Sequence, residues 1–198
     1  MHLYASATSP YARKVRIALI ELGIADRVTI VPTAPTEDPD YRRVNPLGKI
    51  PALRLEDGTV IYDSLVILDW LDQAAGGGQL IPLVAEARTA ELRRHALANG
   101  VIDAAFNLTL ELRRPEEHRS ELWTARWRAA IEAGAAALPA ELSGDAITLA
   151  TITAVSALDY VDFRLADQGL DLGGLRPWRE RLPARASFAQ TLPQLELA

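Results

Sequence analysis

Three consecutive glycines, Gly76-Gly77-Gly78, separate two stretches that follow different periodicities. Before them, short apolar runs alternate with turn-formers, and strand-like and helix-like signals take turns. From about residue 86 onward apolar residues recur at helical spacing, with no strand signal. One periodic fold cannot hold both patterns, so the break predicts two units joined by a segment rich in chain breakers, Pro82 included. The expected division is a first domain over residues 1–76, a linker over 77–86 and an all-helical domain over 87–198.

The first part reads element by element. His2-Leu3-Tyr4-Ala5 is a short strand. Ser9 then supplies a helix N-cap and Pro10 takes the first helical position, a favoured pair. Val15, Ala18, Leu19 and Leu22 form the apolar stripe of that helix, and Gly23 ends it. "VTIVP" (28–32) is a second strand, so the three elements make a right-handed βαβ unit. "DPDYRRVNPLG" is a loop with one helical turn. "PALRL" (51–55) and "TVIYD" (59–63) flank Glu56-Asp57-Gly58, a strong hairpin signal. Ser64 is placed to cap a helix through "LVILDWLDQ". The order βαβ then ββα is thioredoxin-like, which gives an α/β first domain. Beyond the glycines, the stretches 85–114, 116–142 and 146–167 each carry helical periodicity, and the second domain is all-α.

Composition narrows the chemistry. A net charge of −5 over 198 residues argues against nucleic acid as a partner, because phosphate binding needs a basic surface. The absence of cysteine excludes disulfides, thiolate metal sites and a protein thiol nucleophile. His2, His95 and His118 are too dispersed to suggest a zinc site, and no metal is expected. No apolar run is long enough to span a bilayer, so no membrane partner is expected. Met1 leads straight into "HLYAS" with no charged and apolar leader, and the expected location is the cytoplasm.

Three motifs stand in order in the first part: "SPYARKVRIAL" (9–19), "NPLGKIPAL" (45–53) and "YDSLVILDWL" (62–71). Together they resemble the glutathione S-transferase family of the bacterial cytosolic type. The stretches "ALANGVIDAAF" (96–106), "ATITAVSALDYVDFR" (150–164) and "SFAQTLP" (187–193) most resemble its YibF-like subgroup. The resemblance covers essentially the whole chain. It implies the glutathione transferase fold, glutathione as co-substrate, a small electrophile as second substrate, a homodimer and a detoxifying role.

What the resemblance implies for the site is carried residue by residue. A cis bond before Pro51 would turn the backbone of Ile50 outward, to pair in strand-like fashion with the cysteinyl backbone of glutathione. Lys49 would meet the glycyl carboxylate. The helix starting at Ser64 offers free N–H groups and a positive dipole end to the γ-glutamyl carboxylate, with Asp63 facing the α-amino group. Ser9 lies where a glutaredoxin-like fold keeps its reactive cysteine, and it is the candidate catalytic residue. Its role is that of a hydrogen-bond donor to the sulfur of glutathione, assisted by the charges of Arg13 and Arg16. Thr8 is the rival donor; Tyr4 is a weaker one, since it sits inside the first strand. Tyr11, Asn99, Asp103, Phe106 and Asn107 are the candidates for the second-substrate pocket. On residue patterns alone, the last four equally suit a polar stripe at a helix interface, and Phe106 and Trp123 equally suit a core.

One motif departs from the family. Its buried helix near residue 148 usually starts Ser/Thr-x-x-Asp, and here the run is Thr148-Leu149-Ala150-Thr151. Thr151 returns only a hydroxyl, which predicts a weakened capping box and a less stable helix. Three functions remain open: a transferase, a glutathione-binding protein without turnover, and a glutathione-dependent isomerase or dehalogenase.

Overall fold

A computed structural model describes residues 1–142, 144 and 146–194. The chain forms two units, Met1–Leu83 together with the residues from Arg185 onward, and Val84–Ala184.

The first unit is a four-stranded sheet with helices. Strand β1 (His2–Ala5) lies between β2 (Thr29–Pro32) and β3 (Ala52–Arg54), and β4 (Val60–Ile61) closes the order β2-β1-β3-β4. β1 and β2 are parallel because helix α1 (Pro10–Glu21) carries the chain back between them. β3 and β4 are antiparallel, joined by the expected hairpin, where Gly58 has φ +89° and the Asp57 carboxylate accepts from the Thr59 N–H. Side chains alternate along β1. Leu3 and Ala5 are buried with Ala18 and Leu19 of α1 and with Ile67, Leu68 and Leu71 of helix α2 (Ser64–Ala74), while Tyr4 lies on the other face. β2 is the exposed edge, with Ile30 on the surface.

The glycine break is built around one carboxylate. Fully buried Asp72, in the last turn of α2, accepts from the backbone N–H groups of Gly78, Gln79 and Leu80 at 2.8–3.0 Å. Gly76, Gly77 and Gly78 all take positive φ, a region open to glycine without steric cost.

The second unit contains α3 (Ala85–Leu112), α4 (Glu121–Glu141), α5 (Leu149–Arg164) and α6 (Leu175–Arg181). α3 packs against both α4 and α5. Gly134 is buried where α4 meets α3, and a Cβ there would collide with the Val101 side chain. Nearly all of α5 is buried, which makes it the core of this unit. At its start Thr151 brings only a hydroxyl, as expected, and a second helix adds an acceptor. The Thr148 hydroxyl accepts from Thr151 N–H at 3.3 Å, Thr151 donates to the Ala146 carbonyl, and the buried Glu91 of α3 accepts from Ala150 N–H at 2.7 Å. Glu91 thus holds the Ala150 N–H, a different donor from the Thr148 N–H that an aspartate at position 151 would take.

The expected division at residue 87 gives the whole C-terminal stretch to the helical part. In the structure the residues from Arg185 onward, including the short helix α7 (Ala186–Gln190), group with the first unit instead. Glu21 at the end of α1 takes both Arg185 Nε (2.8 Å) and Nη2 (2.6 Å), and Ser187 donates to the same carboxylate. Residues 143, 145 and 195–198 of the expected helical domain lie outside the described residues. Among the described residues no helix is long and apolar enough to cross a membrane.

Candidate functional site

The sheet order brings three separated segments of the first unit to one end. β1 runs toward Ser9, and Tyr4 near its end pairs with Ala52 at the start of β3. β4 runs antiparallel to β3, with Ile61 opposite Leu53, so residues 62–64 leave from that same end. Segments 6–9, 49–51 and 62–64 therefore cluster at the C-terminal end of β1. The N-termini of α1 and α2 both start there, each bringing the positive end of a helix dipole.

Ser9 is the N-cap of α1, in extended conformation (φ −78°, ψ 121°). Its hydroxyl oxygen accepts from Ala12 N–H at 3.2 Å. A hydroxyl that accepts one hydrogen bond still has its own proton to donate. Thr8, one residue earlier, sits in a turn with its hydroxyl 3.4 Å from that of Ser6. The cap fixes Ser9 to the helix, whereas Thr8 leans on another loop hydroxyl. Tyr4 lies in β1 with its ring centroid 5.8 Å from that of Tyr41. The two tyrosines border a cavity of about 450 Å³, together with Val31, Thr33 and Val44.

Arg13 and Arg16 are held by the C-terminal segment. Arg13 is buried; its guanidinium donates to the Phe188 carbonyl and to the Thr191 hydroxyl, both at 3.3 Å. Arg16 donates to the Gln190 carbonyl. These acceptors are neutral, so the hydrogen bonds fix the two guanidinium groups in place and leave their positive charge in the first turns of α1.

The Ile50-Pro51 bond is cis, in keeping with expectation; the Tyr62-Asp63 bond is cis as well. Lys49 is exposed and Ile50 half-buried. At α2 the cap is Asp63, not Ser64: the Asp63 carboxylate accepts from Leu65 N–H at 3.1 Å, and Ser64 is the first helical residue, buried. The reason is steric order, since the residue with extended backbone takes the cap position and Ser64 has already turned helical.

The sequence reading left two side chains of this region without a role. Tyr41 and Asn45, both buried, donate to the Lys49 carbonyl at 2.9 and 2.6 Å. Burial pushes the Tyr41 phenol up to about 12, with the neighbouring Tyr4 adding to the effect. Asn45 also accepts from Leu47 N–H at 3.1 Å, and an asparagine before proline is a signal for such a turn.

The candidates for a second substrate are dispersed over the two units. In the first, Tyr11 is half-buried with the Lys14 ammonium 5.6 Å from its ring centroid. In the second, Asn99 donates to Asp103 at 3.1 Å along α3, Phe106 is half-buried and Asn107 exposed. Trp123 is no core residue: it is about half exposed and stacks on Trp127 with centroids 5.6 Å apart.

Comparison with known proteins agrees with this geometry. Residues 8–74 match the family model for the glutathione S-transferase N-terminal domain. The chain is 32% identical to the "Uncharacterized GST-like protein YibF" of Escherichia coli K12, over 98% of each sequence. It is similar to a glutathione transferase family member from Pseudomonas fluorescens Pf-5 solved with bound glutathione: 38% identity, 98% and 99% coverage, TM-score 0.89. It is also similar to a glutathione S-transferase from Methylobacterium radiotolerans in complex with glutathione sulfonate, at 35% identity, 100% and 96% coverage and TM-score 0.87.

Proposed function

The chain belongs to the glutathione S-transferase family, and from that premise we propose that it binds glutathione and joins its sulfur to a small electrophile. The observation that carries this reading is the Ser9 cap, at the sheet end shared with the Ile50-Pro51 bond and the start of α2. Glutathione's cysteinyl backbone lies along Ile50, its γ-glutamyl carboxylate at the N-terminus of α2 near Ser64, its α-amino group at Asp63 and its glycyl carboxylate at Lys49.

Ser9 acts as donor, and the nucleophile is glutathione's own sulfur. A free thiol has a pKa of about 8.5, so little of it is thiolate at neutral pH. A hydrogen bond to a charged group is worth about 1.5–3 kcal/mol, and a pKa unit is about 1.4 kcal/mol. One hydroxyl donor therefore lowers the bound thiol by about one to two units, and the α1 dipole adds to it. The thiol proton leaves to solvent, the sulfur lone pair forms the carbon–sulfur bond, and the electrophile's leaving group departs with its electron pair. Tyr11, Asn99, Asp103, Phe106 and Asn107 are proposed to contact the electrophile. The protein acts as a cytoplasmic homodimer; exposed Leu47 and Val66 in the first unit, and Leu122 and Trp123 in the second, supply apolar surface for a second copy to cover.

Calorimetric titration with glutathione, run beside a panel of electrophiles, tests the reading. Saturable binding with conjugate formation is expected. Binding without turnover of any electrophile points to a binding protein instead, and absence of binding overturns the proposal. Light scattering that returns a monomeric mass at micromolar concentration removes the dimer.

A further inference from the structure

The Lys49 carbonyl accepts two side-chain hydrogen bonds, from the Tyr41 hydroxyl at 2.9 Å and from the Asn45 amide at 2.6 Å. Both donors are almost wholly buried, at 2% and 1% exposure, so these bonds form away from competing water. Two polar side chains converging on a single backbone oxygen is more than a loop needs for its own satisfaction, since one donor would suffice.

The consequence follows from peptide geometry. The Lys49–Ile50 bond is trans, the two cis bonds lying elsewhere. In a trans peptide the carbonyl and the following N–H point in opposite directions across one plane. Fixing the Lys49 oxygen toward Tyr41 and Asn45 therefore fixes the Ile50 N–H toward the opposite side. We infer that Tyr41 and Asn45 are positioning residues that aim the Ile50 N–H at the cysteinyl carbonyl of glutathione. The inference rests on the function proposed above and adds to it the residues that orient the donor.

The rest of the loop is built to the same end. Asn45 accepts from Leu47 N–H, Gly48 N–H donates to the Asn45 carbonyl at 2.8 Å, and Arg42 donates to the Pro46 carbonyl at 3.1 Å. Gly48 takes φ +60°, and the Arg42 guanidinium lies against the place a Cβ would occupy. The raised Tyr41 pKa keeps the phenol protonated, and so a donor, throughout the neutral range.

The test uses two ligands. Glutathione has the cysteinyl carbonyl; γ-glutamylcysteamine keeps the γ-glutamyl group, the amide and the thiol but lacks that carbonyl. Tyr41→Phe removes one donor and leaves the ring. It is expected to weaken glutathione binding by about three- to ten-fold, the effect of one hydrogen bond, and to leave γ-glutamylcysteamine binding unchanged. Asn45→Ala carries the same test should Tyr41→Phe melt too low for titration. A structural role alone would weaken both ligands alike, and γ-glutamylcysteine amide, which keeps the cysteinyl carbonyl but lacks the glycyl carboxylate assigned to Lys49, should lose as much as glutathione; a loss confined to glutathione would place the effect at Lys49 and overturn the inference. Equal losses for the two ligands, or no loss for either, in a protein whose wild type binds glutathione overturn this inference alone. A wild type that binds no glutathione overturns the functional reading and this inference together.

Discussion

Helices α1 and α5 each begin at a hydroxyl residue in extended conformation, yet they are closed in different ways. At α1 the closure is local: Ser9 accepts from Ala12, three residues on. At α5 the local bond from Thr151 N–H to Thr148, 3.3 Å, matches the 3.2 Å one at α1, and a second, shorter bond at 2.7 Å comes from Glu91, 59 residues away on α3. The difference follows from burial. Ser9 is half-buried, at an end of the sheet, whereas Ala150 has no exposed surface and its N–H needs a protein acceptor. A helix start closed by its own cap at the end of a sheet suits a binding site; one closed from two sides suits a core.

The largest effect expected from breaking this contrast lies at Glu91. Glu91→Ala leaves the Ala150 N–H buried without an acceptor and takes a partner from Arg94. A loss of about 3 kcal/mol is expected in urea denaturation. Glu91→Gln keeps an acceptor oxygen and should lose less than half of that. Equal stability of wild type and Glu91→Ala would mean that the Thr148 cap suffices alone.

The same contrast explains what was legible in the sequence. Features closed within a few residues were readable: the Ser9-Pro10 start of α1, the Asp57-Gly58 hairpin, and the breaker run at Gly76 to Gly78. The family resemblance supplied the Ile50-Pro51 geometry. Features closed from afar were not readable. Nothing near Thr148 announces Glu91, and nothing in "YARKVR" says that Arg13 reaches Phe188, 175 residues on. Tyr41 and Asn45 escaped for a different reason: their shared acceptor is a backbone carbonyl, which leaves no mark in side-chain periodicity. Ser64 was misread as the cap because serine and aspartate both suit that position, and only the backbone decides between neighbours.

Ser9→Ala comes next in size. It should cost about 1 kcal/mol of stability, the usual value for a lost N-cap. Glutathione affinity should stay near wild type, because the other proposed contacts lie at Lys49, Ile50, Asp63 and Ser64. The pKa of bound glutathione, read from thiolate absorbance, should rise by about one to two units with one donor gone. If Thr8→Ala raises that pKa and Ser9→Ala does not, the donor is Thr8.

Glu21 sharpens the contrast by pH, since its closure of the C-terminal segment is also long-range. Burial pushes Glu21 up, but the hydrogen bonds from Arg185 and Ser187 and the Arg185 charge outweigh it, and the net pKa is lowered. A depressed folded pKa means that the unfolded chain binds the proton more readily. The stabilisation is therefore fully present above the unfolded value, about 4.3, and is lost as pH falls through the lower folded value. Glu21→Gln should be less stable than wild type at pH 7, by up to about 1 kcal/mol for a partly exposed pair. The two melting curves should converge below about pH 4. A gap that persists into acid would assign the effect to packing.

The smallest effect expected is that of Thr148→Ala, and it tests whether the two closures of α5 cooperate. Its bond to Thr151 N–H is like that at Ser9, but here the neighbouring Ala150 N–H is already held by Glu91. A loss of about 0.5 kcal/mol, the low end for a cap, is expected. Glu91 and Thr148 hold adjacent donors in one helical turn, so they share the order of that turn. Once Glu91 is gone the turn frays, and little is left for Thr148 to stabilise. The double variant should therefore lose less than the sum of the two single losses. Ser9→Ala with Glu91→Ala is the control: the two positions belong to different units, and their losses should add. Strict additivity of Glu91→Ala with Thr148→Ala would show the two caps acting independently, and the contrast between α1 and α5 would reduce to the number of hydrogen bonds at each start.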